Sequence, residues 1–151
     1  MTSRQTGPSQ HRAQNMFESG IRLIHGAAEA GDFRGQAELA RLYFYGKGVP
    51  RDLTNYVVWT RKAAEQGFAE AQLSLANALG AGQFVKQDLP EARQWAEKAA
   101  SQGMLEACFL LANMFANGLG EKDFTLAGEW FRKAAERGHL DAQFRLALAC
   151  F

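Results

Sequence analysis

The chain has 151 residues, 47% of them apolar, and a formal net charge of +1. That length and apolar content allow a sizeable buried core and exclude global disorder, and the near-neutral balance excludes a general attraction to nucleic acid or an anionic membrane. Alanine occurs 26 times, against 11 for valine, isoleucine and threonine together, which argues for helix because alanine loses no side-chain entropy there and β-branched residues favour strands.

Residues 1–15, MTSRQTGPSQHRAQN, contain no apolar stretch. They read as a disordered polar arm, not a secretory signal, and the expected location is the cytoplasm. No apolar run in the chain reaches the roughly 18 residues of a membrane span. Residues 16–31 read as a helix carrying Phe17, Ile21, Leu23 and Ile24 and closed by Gly31.

From there a unit repeats. RKAAEQG at 61–67 returns as EKAASQG at 97–103 and as RKAAERG at 132–138. The spacing is 36 residues, then 35, with the shortening confined to the loop between Gly118 and Asp123, where a deletion leaves helix faces unrotated. Trp59, Trp95 and Trp130 recur in this register, as do Asp52, Asp88 and Asp123, and Gly46, Gly82 and Gly118. The units run over 32–67, 68–103 and 104–138, between a half-unit at 16–31 and another at 139–151.

Each unit reads as two helices. In the first, helix A spans about Arg34 to Tyr45, with Gly35, Leu39, Ala40 and Tyr43 on its apolar face. Gly46 stops it, because glycine accepts a left-handed conformation. Asp52 is the expected N-cap of helix B, which turns Tyr56, Trp59 and Ala63 inward and ends at Gly67. Lys62 is expected on the wet side. The tryptophans are expected to pack between helices. Cys108 and Cys150 are flanked by apolar residues and read as buried free thiols.

These residues resemble the Sel1-like repeat family, relatives of the tetratricopeptide repeats. GKGVPRD at 46–52 and WTRKAAEQG at 59–67 follow the family pattern G-x-G-V-x-x-D and W-x-x-K-A-A-E-x-G. The second unit departs at Gln83 and Phe84, which follow Gly82 where the pattern has a second glycine, and Leu79 and Phe115 replace its tyrosine. The resemblance implies an all-α fold, a right-handed alpha-alpha superhelix of antiparallel helix pairs, used mainly to hold other proteins.

No phosphate loop, nucleophile elbow or metal-ligand cluster occurs in the sequence, so no cofactor or catalytic residue is expected. His11, His25 and His139 are expected at the surface. Some cysteine-rich members of the resembled family have been linked to β-lactam binding or hydrolysis, but their paired cysteines are missing here. A weak hydrolase is therefore the remotest reading.

By analogy with related arrays, the other face of helix A lines a concave groove. It carries Arg34, Ala37, Arg41 and Phe44, then Glu70, Leu73, Asn77 and Gly80, then Glu106, Phe109, Asn113 and Ala116, and last Asp141, Phe144, Leu148 and Phe151. Leu73, Phe109, Phe144, Leu148 and Phe151 make an apolar stripe, or alternatively lean into the joints between successive helices A. Asn77 and Asn113 offer amides able to pair with any peptide backbone. The expected partner is a peptide or helix of another protein, partly apolar, with its acidic end near unit one and its basic end near the C-terminus. The host is expected to be a bacterium. An alternative is self-assembly, head to tail through the two half-units. There Leu146, Ala147 and Cys150 would be open at one end.

Overall fold

The computed structural model describes residues 8–118 and 123–149, and among these it contains eight helices and no strand. In chain order they are α1 (Pro8–Glu29), α2 (Phe33–Tyr45), α3 (Leu53–Glu65), α4 (Ala69–Ala81), α5 (Leu89–Ser101), α6 (Leu105–Asn117), α7 (Phe124–Glu136) and α8 (Leu140–Ala149). Helices α2, α4, α6 and α8 stand in the A register, and α1, α3, α5 and α7 in the B register. Each packs chiefly on its neighbours in sequence, as expected of a solenoid.

The N-terminus differs from the sequence reading. Helix α1 begins at Pro8, so residues 8–15 are helical and not part of a disordered arm. Pro8 suits this start, because the first turn of a helix does not use its N–H. Residues 9–19 are nevertheless exposed. Residues 1–7 and 119–122, together with Cys150 and Phe151, lie outside the described residues.

The repeated letters have repeated mechanical roles. Asp52, Asp88 and Asp123 accept from backbone N–H groups in the first turns of α3, α5 and α7, at Asn55 (3.0 Å), Glu91 (2.9 Å) and Leu126 (3.0 Å). Asp32 does the same for α2 through the Arg34 N–H. Gly46, Gly82 and Gly118 end the A helices with φ of 67°, 65° and 68°, the left-handed cap that a side chain disfavours. The alanines of the repeated phrase help form the core: Ala63, Ala99 and Ala134 are fully buried, as are Leu39, Leu75 and Leu111 of the A helices. Small residues here allow close helix approach. At Gly35 even a methyl would come within 2.8 Å of Ala27 Cβ, so α2 lies directly on the backbone of α1.

A polar ladder ties the units together. Gln36 is buried and donates to Ala28 O at 3.3 Å; Gln72 does likewise to Ala64 O at 3.1 Å. Gln66 then donates to Gln36 Oε1 and Gly31 O, and Gln102 to Gln72 Oε1 and Gly67 O. At the next junction the same two register positions hold Cys108 and Arg137. The Arg137 guanidinium lies close to Gly103, 3.1 Å from where a Cβ would stand. Burial pushes the Cys108 thiol up, although Arg137 and Lys133 act against this.

The tryptophans are less interior than their register implies. Trp95 is 8% exposed, whereas Trp59 and Trp130 are half-buried. The lysine three residues on is exposed, yet it covers the indole. Nζ of Lys62, Lys98 and Lys133 sits 3.9, 4.0 and 4.1 Å from the ring centroids of Trp59, Trp95 and Trp130. The i, i+3 spacing puts both on one helix face, and the ring quadrupole attracts the cation. Between units, Arg61 on α3 pairs with Glu91 on α5, and Trp95 Nε1 donates to the same carboxylate at 3.1 Å. The Arg61 hydrogen bond, helped by Trp95, holds the Glu91 carboxyl below its ordinary range.

Candidate partner-binding groove

The A helices present the candidate residues, and the first two bring several together. Arg34, Arg41 and Phe44 of α2 line an open groove of about 730 Å³ with Glu70 of α4. Its lining includes Ala37, Ala40 and Ala71, whose short side chains leave room, and Thr60 from α3. One wall is aromatic. Phe44 contacts Tyr45 edge to face, with ring centroids 5.0 Å apart, and Tyr56 at the same separation. Phe68, also lining the groove, lies 5.4 Å from Phe33.

Charge lies around the wall. Arg51 sits 6.0 Å from the Phe44 ring centroid and donates through Nε to Phe44 O at 3.1 Å. Lys47 Nζ is 5.4 Å from the Tyr45 ring, and Arg34 is 5.6 Å from that of Phe33. Arg41 pairs with Glu38 at 2.8 Å; Arg41 is exposed and Glu38 half-buried.

Farther along, the predicted row divides. Leu73 is half-buried against the core. Phe109 is also half-buried there; it stacks on His139 at 4.5 Å and meets Phe131 at 5.8 Å. Asn77 is exposed, whereas Asn113 is half-buried and donates to Phe109 O of its own helix at 3.0 Å. Glu70, Glu106 and Asp141 are exposed. Phe144 is exposed, and Leu148 lines a second recess of about 580 Å³ with Leu146, Phe131 and Arg145. Phe151, placed in this row by register, lies outside the described residues.

Two histidines expected at the surface have structural contacts. His139 accepts the Ala142 N–H at 3.3 Å, capping α8, besides stacking on Phe109. His25 is half-buried, its ring edge-on to Tyr43. His11 is exposed.

Phe84, which the sequence pattern does not single out as a site candidate, lies beside the groove's aromatic wall. It holds the register of Gly48 and the same left-handed backbone, with φ of 66° against 73° for the glycine. For a residue with a Cβ this conformation costs about 1–2 kcal/mol. The loop keeps its form because Gln83 N–H donates to Ala78 O and Asp88 N–H to Leu79 O, matching Lys47 to Leu42 and Asp52 to Tyr43. The Phe84 ring is partly exposed and meets Phe44 at 6.1 Å and Tyr56 at 6.2 Å. An aromatic residue at a glycine position was the signal available in the sequence.

Among the described residues there is no group of His, Cys, Asp and Glu able to hold a metal, and no helix long and apolar enough to cross a membrane.

The family model for the Sel1 repeat matches residues 34–68, 69–104 and 105–139. Among solved structures, a Sel1 repeat protein from Oxalobacter formigenes is 35% identical, with a TM-score of 0.77 over 85% of this chain and 97% of that one. A protective antigen from uropathogenic Escherichia coli, described as displaying an SLR fold, is 32% identical with a TM-score of 0.80. That match covers 88% of this chain and 29% of the antigen. Cysteine rich protein B of Helicobacter pylori shares the fold, at 24% identity and a TM-score of 0.65 over 86% of this chain and 94% of that one. Comparison with curated proteins gives no match.

Proposed function

The chain belongs to the Sel1 repeat family, whose members are generally protein-interaction scaffolds and typically not catalysts, and from that premise we propose that it holds a peptide or helix of a partner protein in its concave groove. The observation that carries this reading is the groove uniting Arg34, Arg41, Phe44 and Glu70 beside an aromatic wall. Small side chains leave the space, aromatic rings supply apolar area at little entropic cost, and charges at the edges set orientation. The partner is partly apolar, and its acidic end lies over the first unit. We place the interaction in the cytoplasm of a bacterium. The test is affinity capture from the native host, followed by direct titration of each purified partner against the parent and Arg41→Glu. A partner that binds both equally well would move the site to the convex face or the loops.

Head-to-tail association is a second reading. It is favoured by exposed apolar side chains on both terminal helices. Met16 and Leu23 of α1 are 72% and 75% exposed, and Leu140 and Phe144 of α8 are 77% and 65% exposed. One set stands in the B register and the other in the A register, so they can pair as the two helices of one unit. Such a contact is heterologous and builds rings or filaments. Leu146, expected on the open face, is half-buried against the core, Ala147 is exposed and Cys150 lies outside the described residues.

A further inference from the structure

Phe84 spends conformational freedom where its repeat-mate does not. Gly48 meets the loop's left-handed requirement without strain, and Ile21 and Phe17 fill the space a side chain would need there. In the second unit the chain keeps the backbone and places a ring on it. That ring is 42% exposed, so core burial does not account for it. It touches Phe44 and Tyr56, both of which line the groove. Strain held in a sparsely populated backbone region, with a partly solvated aromatic as its result, is characteristic of recognition sites.

We propose that Phe84 completes an aromatic anchor site with Phe44 and Tyr56, and that this site takes a large apolar side chain flanked by carboxylates on a partner protein's segment. The inference rests on the groove reading and names its specificity. Charge complementarity selects the flanking groups. Arg51 and Lys47 stand at the Phe44 and Tyr45 rings, and neither has a carboxylate partner among the described residues. Of the two carboxylates lining the groove, Glu38 is already paired with Arg41. An acidic segment therefore gains attraction at the wall, and a basic one meets like charge. The apolar residue is desolvated between rings, where aromatic residues typically form the centre of a binding patch.

The probe is a blocked synthetic peptide with one leucine between pairs of glutamates. One control carries lysine in place of every glutamate, and another carries alanine in place of the leucine. Binding is followed by NMR titration of the full chain. The acidic leucine peptide is expected to shift ring resonances of Phe44, Tyr56 and Phe84, and to bind at least about fivefold more tightly than either control. Phe84→Gly and Phe84→Asn both tolerate the left-handed backbone. Each should weaken the peptide by about fivefold or more while melting at or above the parent's temperature. Equal binding by the lysine peptide, or unchanged affinity in the Phe84 variants, overturns the inference. Melting lowered in both variants does so too, by making the ring a structural one. If the peptide shifts Arg34 and Glu70 but ignores the Phe84 variants, the groove reading stands and this inference fails. If no groove resonance moves, this inference fails, and the groove reading is decided by the Arg41→Glu test on the captured partner.

Discussion

Gln66 donates to the side-chain oxygen of Gln36 at 2.8 Å, and one repeat later Gln102 makes the same bond to Gln72 at 2.8 Å. In each pair the first residue closes helix B of a unit, and the second lies buried in helix A of the same unit. The donor's amide also reaches the glycine carbonyl that closed the preceding helix B, Gly31 or Gly67. One side chain thus ties three helices, and the tie recurs with the repeat. Such links couple units that otherwise meet through apolar contact.

Gln102→Ala is expected to destabilise the array by about 1–3 kcal/mol, because it strands the buried Gln72 oxygen without a donor. Gln72→Leu with Gln102→Ala should recover part of that loss, since the orphaned group is then absent. Urea denaturation of the two single variants and the double one checks this. Additive losses would show that the two amides act independently.

Trp95→Ala removes a nearly buried indole from the central unit, and about 3–5 kcal/mol should be lost. Lys98→Ala removes only the cation over the ring, and about 0.5–1 kcal/mol is expected. Thermal melts should show the Trp95 loss spreading to neighbouring units in one cooperative step. Unchanged melting of Trp95→Ala would remove it from the core.

Acid should weaken the α3–α5 junction. Arg61 holds the Glu91 carboxyl below its unfolded value. The unfolded chain therefore binds the proton first as pH falls. The pair's stabilisation is present above the ordinary glutamate range and is lost as pH drops through the lowered value. Asp52, held low chiefly by the Asn55 N–H, adds a slope of the same sign. Glu91→Gln should flatten the fall of Tm between neutral and acidic pH without abolishing it, and added salt should have a similar but smaller effect. An acid limb identical to the parent's would show the pair to be uncoupled from folding.

Groove variants should separate binding from folding. Arg41→Glu is expected to slow association with an acidic partner and to reduce its salt dependence. Asn77→Ala with Asn113→Ala should cost about 0.5–1.5 kcal/mol of binding per lost hydrogen bond. Asn113 must first give up its bond to the Phe109 carbonyl, so its share should be the smaller. Calorimetric titration beside circular dichroism checks both. Lost helicity would turn the effect into a structural one.

Assembly should depend on concentration. Sedimentation across a series is expected to show oligomers at micromolar or higher concentration, an order of magnitude drawn from ordinary affinity arithmetic. Phe144→Glu on α8 and Leu23→Glu on α1 should each abolish them, since both residues are exposed and neither substitution opens the core. A strict monomer at about millimolar concentration would end this reading.

The repeat, the helix order and the aspartate caps were legible in the letters, because each is a local matter. An N-cap needs one acceptor at the first turn, and a left-handed stop needs one glycine. An apolar face needs only the helical period, so Leu39, Leu75 and Leu111 could be placed inside from spacing alone. Four of the candidate groove residues, Arg34, Arg41, Phe44 and Glu70, could be chosen by register, and they line one groove.

What register could not decide is how residues of different units meet. Phe109 and Leu73 hold equivalent positions, yet only Phe109 has a histidine ring stacked on it, because His139 replaces the phenylalanine, Phe68, and the methionine, Met104, of the earlier units. Lys62 is hydrophilic by composition but lies across Trp59, a contact that depends on side-chain rotamers and not on period. Gln36 and Gln66 are thirty residues apart and find each other only after α2 and α3 have packed. Phe84 reads as a lapse in a glycine pattern until the fold brings Phe44 and Tyr56 to its ring. The sequence by itself determined the unit and its repetition, since caps, turns and helical faces are set within a few residues. Tertiary packing decided which side chains are shared between units, and with them the site's shape, because those contacts depend on how stacked helices approach one another.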